Sequence, residues 1–443
     1  MHCKYSSVLI FCLLLLSFRN TYAQHTEPIL AFTQVNVVPM DKEHVLKNQT
    51  VLVQGDKLIG VGNQGEVNIP ADAKRIEGKG MYLIPGLADM HAHLPTGAAG
   101  EIEMGDYLRL NIIRGITTLR SMRGDAKHPA LRDSIRQGYI TGPTLYLGSP
   151  VLPSDKDLNP ELAAKLIHQY KQEGFDFIKY LWPLKPAMFD TVLAIAAREG
   201  IRVAGHAPKA GLEAALQNKE ASVEHIDAFL ELYKKDSVKF RQVVHKLGDA
   251  GIFSCPDVQW YYLAWNQLAL EQLEVRNGMN CIAPAVKEKW EMEFKMNFAE
   301  HMKNRAEFVK QRNAHRKDLE MTARMIKAMQ EEGIPLLLSP GDGAFIIPGY
   351  SMLDECRNFA EAGISPFEVL KAGTVNPASF CHWESGKVEP GKRADLVLLE
   401  NNPLENVESL DHIQGVMVRG KWFSKDDLEK MEQEIRDRYN RQK

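Results

Sequence analysis

The sequence predicts an α/β protein: a (β/α)8 barrel carrying a small β-sandwich domain built from both chain ends. Three observations predict it. Eight short apolar runs alternate with longer helical stretches between residues 86 and 385. Residues 24–85 and 386–424 read instead as strands and tight turns. Side chains able to hold a metal fall at the ends of five of the eight runs. A chain of 443 residues has room for both parts. Its 44% hydrophobic and 25% charged residues exclude wholesale disorder and a polytopic membrane protein. Lys plus Arg, 54 against 57 Asp plus Glu, lacks the basic footprint of a nucleic-acid binder.

The first 23 residues read as a secretory leader: Lys4, a short apolar run from Val8 to Leu16, and Thr21-Tyr22-Ala23 before the cut. The run is too short for a membrane span, so the reading is an exported chain, periplasmic or secreted, without a stable membrane anchor. The leader takes away Lys4 and Arg19 and no acid, so the net charge moves from −3 to −5. Cys3 and Cys12 leave with it. Cys255, Cys281, Cys356 and Cys381 remain, with no CxxC spacing and room for one or two bridges after export.

Early strands are expected at Thr50–Val53, Lys57–Val61 and Met81–Ile84. The barrel strands follow at Leu87–His91, Ile116–Leu119, Thr144–Leu147, Phe175–Lys179, Ile201–Ala204, Ser222–Glu224, Ile252–Cys255 and Ile334–Leu338. Late strands at Ala394–Leu399 and Ile413–Val418 join the early ones, and a charged helix covers 425–443. An aromatic, highly charged helical insertion at about 259–316 is either a solvated hairpin or a lid. Its position after the seventh strand favours the lid, because loops after barrel strands form the functional face.

His91-Ala-His93 ends the first strand, and strand alternation puts both imidazoles on one side. Fourteen His in 443 residues give roughly 0.4 such pairs by chance, so the pair needs company. Lys179, His206, His225 and Asp342 supply it, each at or just past a strand end. Taken singly, a solvent-reaching Lys, a hydrogen-bonded His or a helix-capping Asp is the commoner role. Their spacing argues for a set. With about 31 residues per βα unit, the 86 residues from His93 to Lys179 make three units, and the steps of 27 and 19 to His206 and His225 make one each. The 117 residues from His225 to Asp342 exceed two units by about the length of the insertion.

This arrangement resembles the amidohydrolase superfamily in its two-metal form with a carboxylated lysine. Pro85-Gly-Leu-Ala-Asp-Met-His-Ala-His, Gly115-Ile-Thr-Thr-Leu-Arg, Asn376-Pro-Ala-Ser and Glu389-Pro-Gly-Lys-Arg-Ala-Asp-Leu-Val are similar to its imidazolonepropionase-like and Xaa-Pro dipeptidase-like branches. Pro340-Gly-Asp-Gly departs from the more usual Gly-Thr-Asp, keeping the carboxylate but changing the turn. The resemblance implies two divalent ions, with zinc suiting the ligands and manganese, cobalt or iron as alternatives. His91, His93 and Asp342 would hold one ion and His206 and His225 the other. Lys179, carboxylated by CO₂, would bridge them as a carbamate. Asp342 would be the catalytic general base and acid.

Deaminases of the superfamily resemble a pattern with a Glu shortly after the fifth-strand His and no bridging Lys. Here Ala207-Pro208-Lys209 follows His206, and Lys179 is present. The resemblance therefore implies hydrolysis of an amide or peptide bond in a small molecule or dipeptide, by a dipeptidase or related amidase. Ester, lactone, carbamate or organophosphate hydrolysis is the alternative on the same site, and a non-catalytic binding barrel is a third reading.

Substrate-contacting candidates are Arg120 and Arg123 after the second strand, either as carboxylate clamps or as salt-bridge partners. Tyr180 and Trp182, and the insertion residues Trp260, Tyr261 and Tyr262, are candidates to shape a pocket or pack between helices. No stretch defines an interface for self-association.

Overall fold

The computed structural model describes residues 27–302 and 305–441. The expected leader lies outside the described residues. Strands from both chain ends share one sheet: β1 (Ile29–Val37), β2 (Leu46–Gln54), β3 (Lys57–Asn63), β4 (Lys74–Glu77) and β5 (Tyr82–Pro85) join three late strands, Leu396–Leu399, Ile413–Val418 and Lys421–Ser424. β1 pairs antiparallel with β2 on one edge, and its other edge takes β4 and then β5 in parallel. A bridge between Lys57 and Arg393 folds the far end of this sheet back beside the late strands. The sandwich expected from strand texture is therefore one continuous eight-stranded sheet folded over, because β1 offers its second edge to two strands in turn. Phe32, Val35, Val51, Leu83, Leu396 and Met417 fill its core.

The middle of the chain runs parallel. β6 (Leu87–Ala92), β7 (Ile116–Ser121) and β8 (Thr144–Leu147) form one sheet. β9 (Phe177–Tyr180), β10 (Arg202–His206), β11 (Ser222–Glu224) and β12 (Phe253–Cys255) form another. A parallel bridge between Gly148 and Phe177 joins the two. β6, β7 and β9 are buried along their whole length, as expected of parallel strands covered on both sides.

The eighth run is shorter than expected. Ile334–Leu338 forms only a bridge at Leu336 to Ser254, because Pro335 has no N–H to give to a ladder. It still spans the gap: the Leu337 N–H donates to Ser254 O (2.8 Å), and the Met90 N–H donates to Leu338 O (3.1 Å).

The insertion consists of helices at Val258–Ala264, Leu270–Glu274 and Pro284–Met302, then a helix Arg305–Glu331 that runs well beyond the expected end at 316. Its Trp290 packs against Phe345 in a core cluster that also holds Ile435 and Tyr439 of the last helix, Lys425–Asn440. That helix is tied down by Arg438, whose Nη1 donates to both oxygens of Asp106 at 2.9 Å. Cys255, Cys281, Cys356 and Cys381 are all buried free thiols, so the bridges that export would permit are not formed among them. No described helix is long and apolar enough to cross a membrane.

Candidate metal centre and active site

Parallel strands present the side chains at their C-terminal ends to one rim. His91 and His93 come from β6, Lys179 from β9, His206 from β10, His225 from the residue after β11, and Asp342 from the loop after the eighth run. All six line one cavity of about 380 Å³. The imidazoles are close: ring centroids lie 5.4 Å apart for His91 and His93, 4.7 Å for His91 and His225, and 4.5 Å for His206 and His225.

Carboxylates beneath the rings fix how they face. His91 Nδ1 lies 2.9 Å from Glu224 Oε2 and 3.1 Å from Asp257 Oδ2. His225 Nδ1 lies 3.2 Å from the same Asp257 oxygen, and His93 Nδ1 lies 3.0 Å from Asp342 Oδ2. The Glu224 bond leaves Nε2 of His91 for a ligand, whereas His225 Nδ1 and Asp257 Oδ2 have no hydrogen-bond partner among the described residues. The Nε2 atoms of His206 and His225 face each other at 3.1 Å.

Burial, with the nearby Lys179 charge, brings His206 down to about 4 and holds His91 and His225 well below the ordinary range. These three rings are therefore neutral near pH 7, as metal ligands must be. Lys179 is buried, and its Nζ has no hydrogen-bond partner among the described residues. Burial first, and then the Arg120 charge against the pull of Glu224 and Asp257, brings its ammonium down to about 8. A buried amine lowered this far is a competent nucleophile toward CO₂. Neutral imidazoles, carboxylates and an orphaned amine around one cavity fit two divalent cations and a carbamate.

Two residues beside the rim, Asp257 and Glu224, were missed from sequence. Asp257 and His225 offer, with His91, three ligand atoms within 4.8 Å of one another. Asp257 stands two residues past β12 in Ser-Cys-Pro-Asp, the same kind of strand-end position as the other candidate ligands, and that was the available signal. Both Asp257 (φ 54°) and His225 (φ 68°) adopt the left-handed region, unusual for residues with a side chain and common where a site dictates conformation. Glu224, directly before His225, was the other omission.

The Asp342 turn is shaped by its flanking glycines. Gly341 has φ +76°, and a Cβ there would stand 2.8 Å from Trp260 Cβ, so this turn needs glycine where the indole packs against it. Burial pulls the Asp342 carboxyl upward, but His93, with help from Arg123 and Lys289, leaves it below its ordinary value.

The substrate candidates divide. Trp260 and Tyr261 line the cavity, with Trp265, Leu181, Val151 and Met122 adding apolar wall. Tyr262 is half-buried and not part of that wall, because its helix turns it away. Arg123 lines the cavity and donates from Nη2 to Glu101 Oε1 at 2.9 Å. Arg120 is corrected: it is fully buried below the rim, bonded to Met90 O, Ser222 Oγ (2.8 Å) and Glu224 Oε2 (2.7 Å), and is not part of the wall of this cavity. Tyr180 is corrected likewise. Its hydroxyl is buried against Glu220 Oε1 (2.7 Å) and His206 O, because alternation after Lys179 turns it away from the site. Trp182 is 55% exposed.

Comparison with known proteins gives the family and the fold. The sequence profile of the Amidohydrolase family matches residues 82–423. A solved Xaa-Pro dipeptidase with bound methionine superposes with a TM-score of 0.67 at 17% identity, covering 89% of this chain and all of that one. A 5-methylthioadenosine/S-adenosylhomocysteine deaminase from Caldanaerobacter subterraneus subsp. tengcongensis is 22% identical over 419 residues, 84% of this chain and 85% of that protein. An adenine deaminase from Methanosphaera stadtmanae is 42% identical over 50 residues, 11% of this chain, and the match spans only 9% of that protein's length.

Proposed function

Because the chain belongs to the amidohydrolase family and is a hydrolase acting on carbon–nitrogen bonds, we propose that it is an exported dipeptidase or related amidase working with two divalent metal ions. The observation that carries this reading is Lys179, a buried amine without a partner among neutral imidazoles. His91, His93 and Asp342 would hold one ion, His206 and His225 the other, and carboxylated Lys179 both. Zinc suits this nitrogen and oxygen donor set. When bound, the ions supply Lewis acidity and lower the pKa of water toward neutrality.

The chain's own groups do the rest. Asp342, ionised near neutrality, takes a proton from the attacking water and hands it to the departing nitrogen. Trp260, Tyr261 and Trp265 keep bulk water from one side of the cavity and pack an apolar part of the substrate. Insertion 259–316 acts as a lid, a reading supported by its contribution of these aromatic side chains to the cavity wall. The inter-sheet hydrogen bonds support a closed eight-stranded barrel at 86–385, with 24–85 and 386–424 as a composite companion domain. Export rests on Lys4 and the apolar run that follows it.

Deamination is the second reading, favoured by the likeness to a deaminase over 84% of this chain. A buried Lys179 in the ligand ring weighs against it. Zinc-loaded protein supplied with bicarbonate should be screened against dipeptides, N-acyl amino acids, lactones and adenine nucleosides. Turnover of the first two classes is expected, and turnover of nucleosides alone would overturn the proposal.

A further inference from the structure

A cavity of about 520 Å³ lies where the companion sheet meets the parallel strands, and it shares no lining residue with the metal cavity. Thr141 and Gly142, which lead into β8, form part of its wall. It therefore sits toward the N-terminal ends of the strands, away from the rim. Junctions between domains are common places for ligand sites.

The walls divide by chemistry. Leu30, Val53, Ile135, Val418 and Phe423 make an apolar floor. Ile140, 37% exposed, lies where that floor meets solvent, next to Tyr139, which is 81% exposed.

Two cations border the floor. Arg419 and Gly420 form the turn between the strands Ile413–Val418 and Lys421–Ser424, and both are left-handed, with φ of 47° and 78°. Such a turn favours Asn, Asp or Gly at its first position, so an arginine is strained there, and what it adds is its side chain. The guanidinium donates to Ile135 O (3.1 Å), Thr144 Oγ1 (3.2 Å) and Gly142 O (3.4 Å), all neutral acceptors. Among the described residues it forms no ion pair. Neither does Lys421, whose Nζ reaches Thr141 Oγ1 (3.5 Å) and stands over the Phe423 ring (5.1 Å). The acids on the wall, Glu27 and Asp56, are exposed and pair with neither cation. Arg136, the third cation of the wall, is held by Asp133 of its own helix, His128–Arg136, at 3.2 Å.

We propose that this junction cavity binds an amphipathic carboxylate, with its charge at Arg419 and Lys421 and its apolar chain or ring along Leu30, Val53 and Phe423. A carboxylate is what the two cations lack: it gives them a charge-assisted partner that neutral oxygens do not replace. The apolar part takes exposed hydrocarbon out of water, which a small inorganic anion or a sugar would not do. The assignment is independent of which bond is cleaved at the metal cavity.

The test is calorimetric titration of the full-length, zinc-loaded protein with octanoate, and with octanamide and acetate as controls that lack the charge or the chain. Octanoate should bind at least about tenfold more tightly than either control. It should bind equally well after a chelator has removed the metal, which separates this site from carboxylate binding at the rim. Lys421→Met should weaken octanoate about tenfold and leave octanamide unchanged. Ile140→Glu, which sets an acid beside the floor, should weaken octanoate by a similar factor. Both positions are at the surface, so circular dichroism should match wild type. Absence of binding, equal affinity for octanoate and either control, dependence on zinc, or octanoate affinity unchanged in either variant would overturn the proposal.

Discussion

Arg120 and Glu224 form an ion pair of 2.7 Å with both side chains wholly buried, and the same Glu224 oxygen faces His91 Nδ1 at 2.9 Å. The pair is thus a support under a candidate metal ligand. Glu224→Gln keeps the shape but removes the charge that favours Nδ1–H on His91. Metal affinity, read by competition with a chromophoric chelator, is expected to fall about 10–100-fold. Arg120→Met leaves a buried carboxylate uncompensated and should cost about 3–5 kcal/mol in urea unfolding. Affinity within twofold of wild type in Glu224→Gln would remove Glu224 from this role.

Lys179→Ala should lose most activity and part of the bound metal, and short carboxylic acids added to the assay should partly restore turnover by taking the carbamate's place. Its Nζ has no other partner to lose among the described residues, so the fold should survive. Full activity in this variant, measured at saturating zinc, would end the carbamate assignment.

Asp342→Asn preserves volume at the turn and removes the proton acceptor. A drop of about 10²–10⁴ in kcat is expected, with the circular dichroism spectrum and melting temperature close to wild type. An unchanged kcat would take Asp342 out of proton transfer.

Glu355 gives a pH prediction separate from the ligand rim. Its oxygens accept from the backbone N–H groups of Val258 (3.0 Å) and Gln259 (2.7 Å), anchoring the start of the helix that carries Trp260 and Tyr261. Burial outweighs these bonds and raises its carboxyl from 4.5 to about 7. The folded state then binds a proton more tightly than the unfolded one. This contribution is whole below pH 4.5 and is lost as pH rises through 7. Urea unfolding at pH 5 and pH 8 should show wild type losing on the order of 1–3 kcal/mol more than Glu355→Gln over that interval. Equal losses would contradict the assignment.

The strand ends, and the six residues that line one cavity there, were legible because parallel strand–helix units repeat at a regular interval, and an insertion shows as one oversized interval. Facing within a strand was harder to read. Arg120 and Tyr180 stand at or beside the expected rim in sequence, yet both side chains are buried against carboxylates, because the partners that draw them there, Glu224 and Glu220, belong to other strands and loops. Asp257 carries the same strand-end signal as the six candidate ligands. The eighth run's reduction to a single bridge follows from Pro335, which is plain in the sequence once a ladder is sought. The folded-over sheet depends on β1 sharing one edge between two strands, a pairing that local texture does not encode.

The central claim is a cluster of His91, His93, Lys179, His206, His225 and Asp342 built around two cations. Elemental analysis of protein refolded or expressed with zinc and bicarbonate, after removal of free metal, tests it most directly. About two ions per chain are predicted. Fewer than about one per chain, in protein that is folded by circular dichroism, would contradict it.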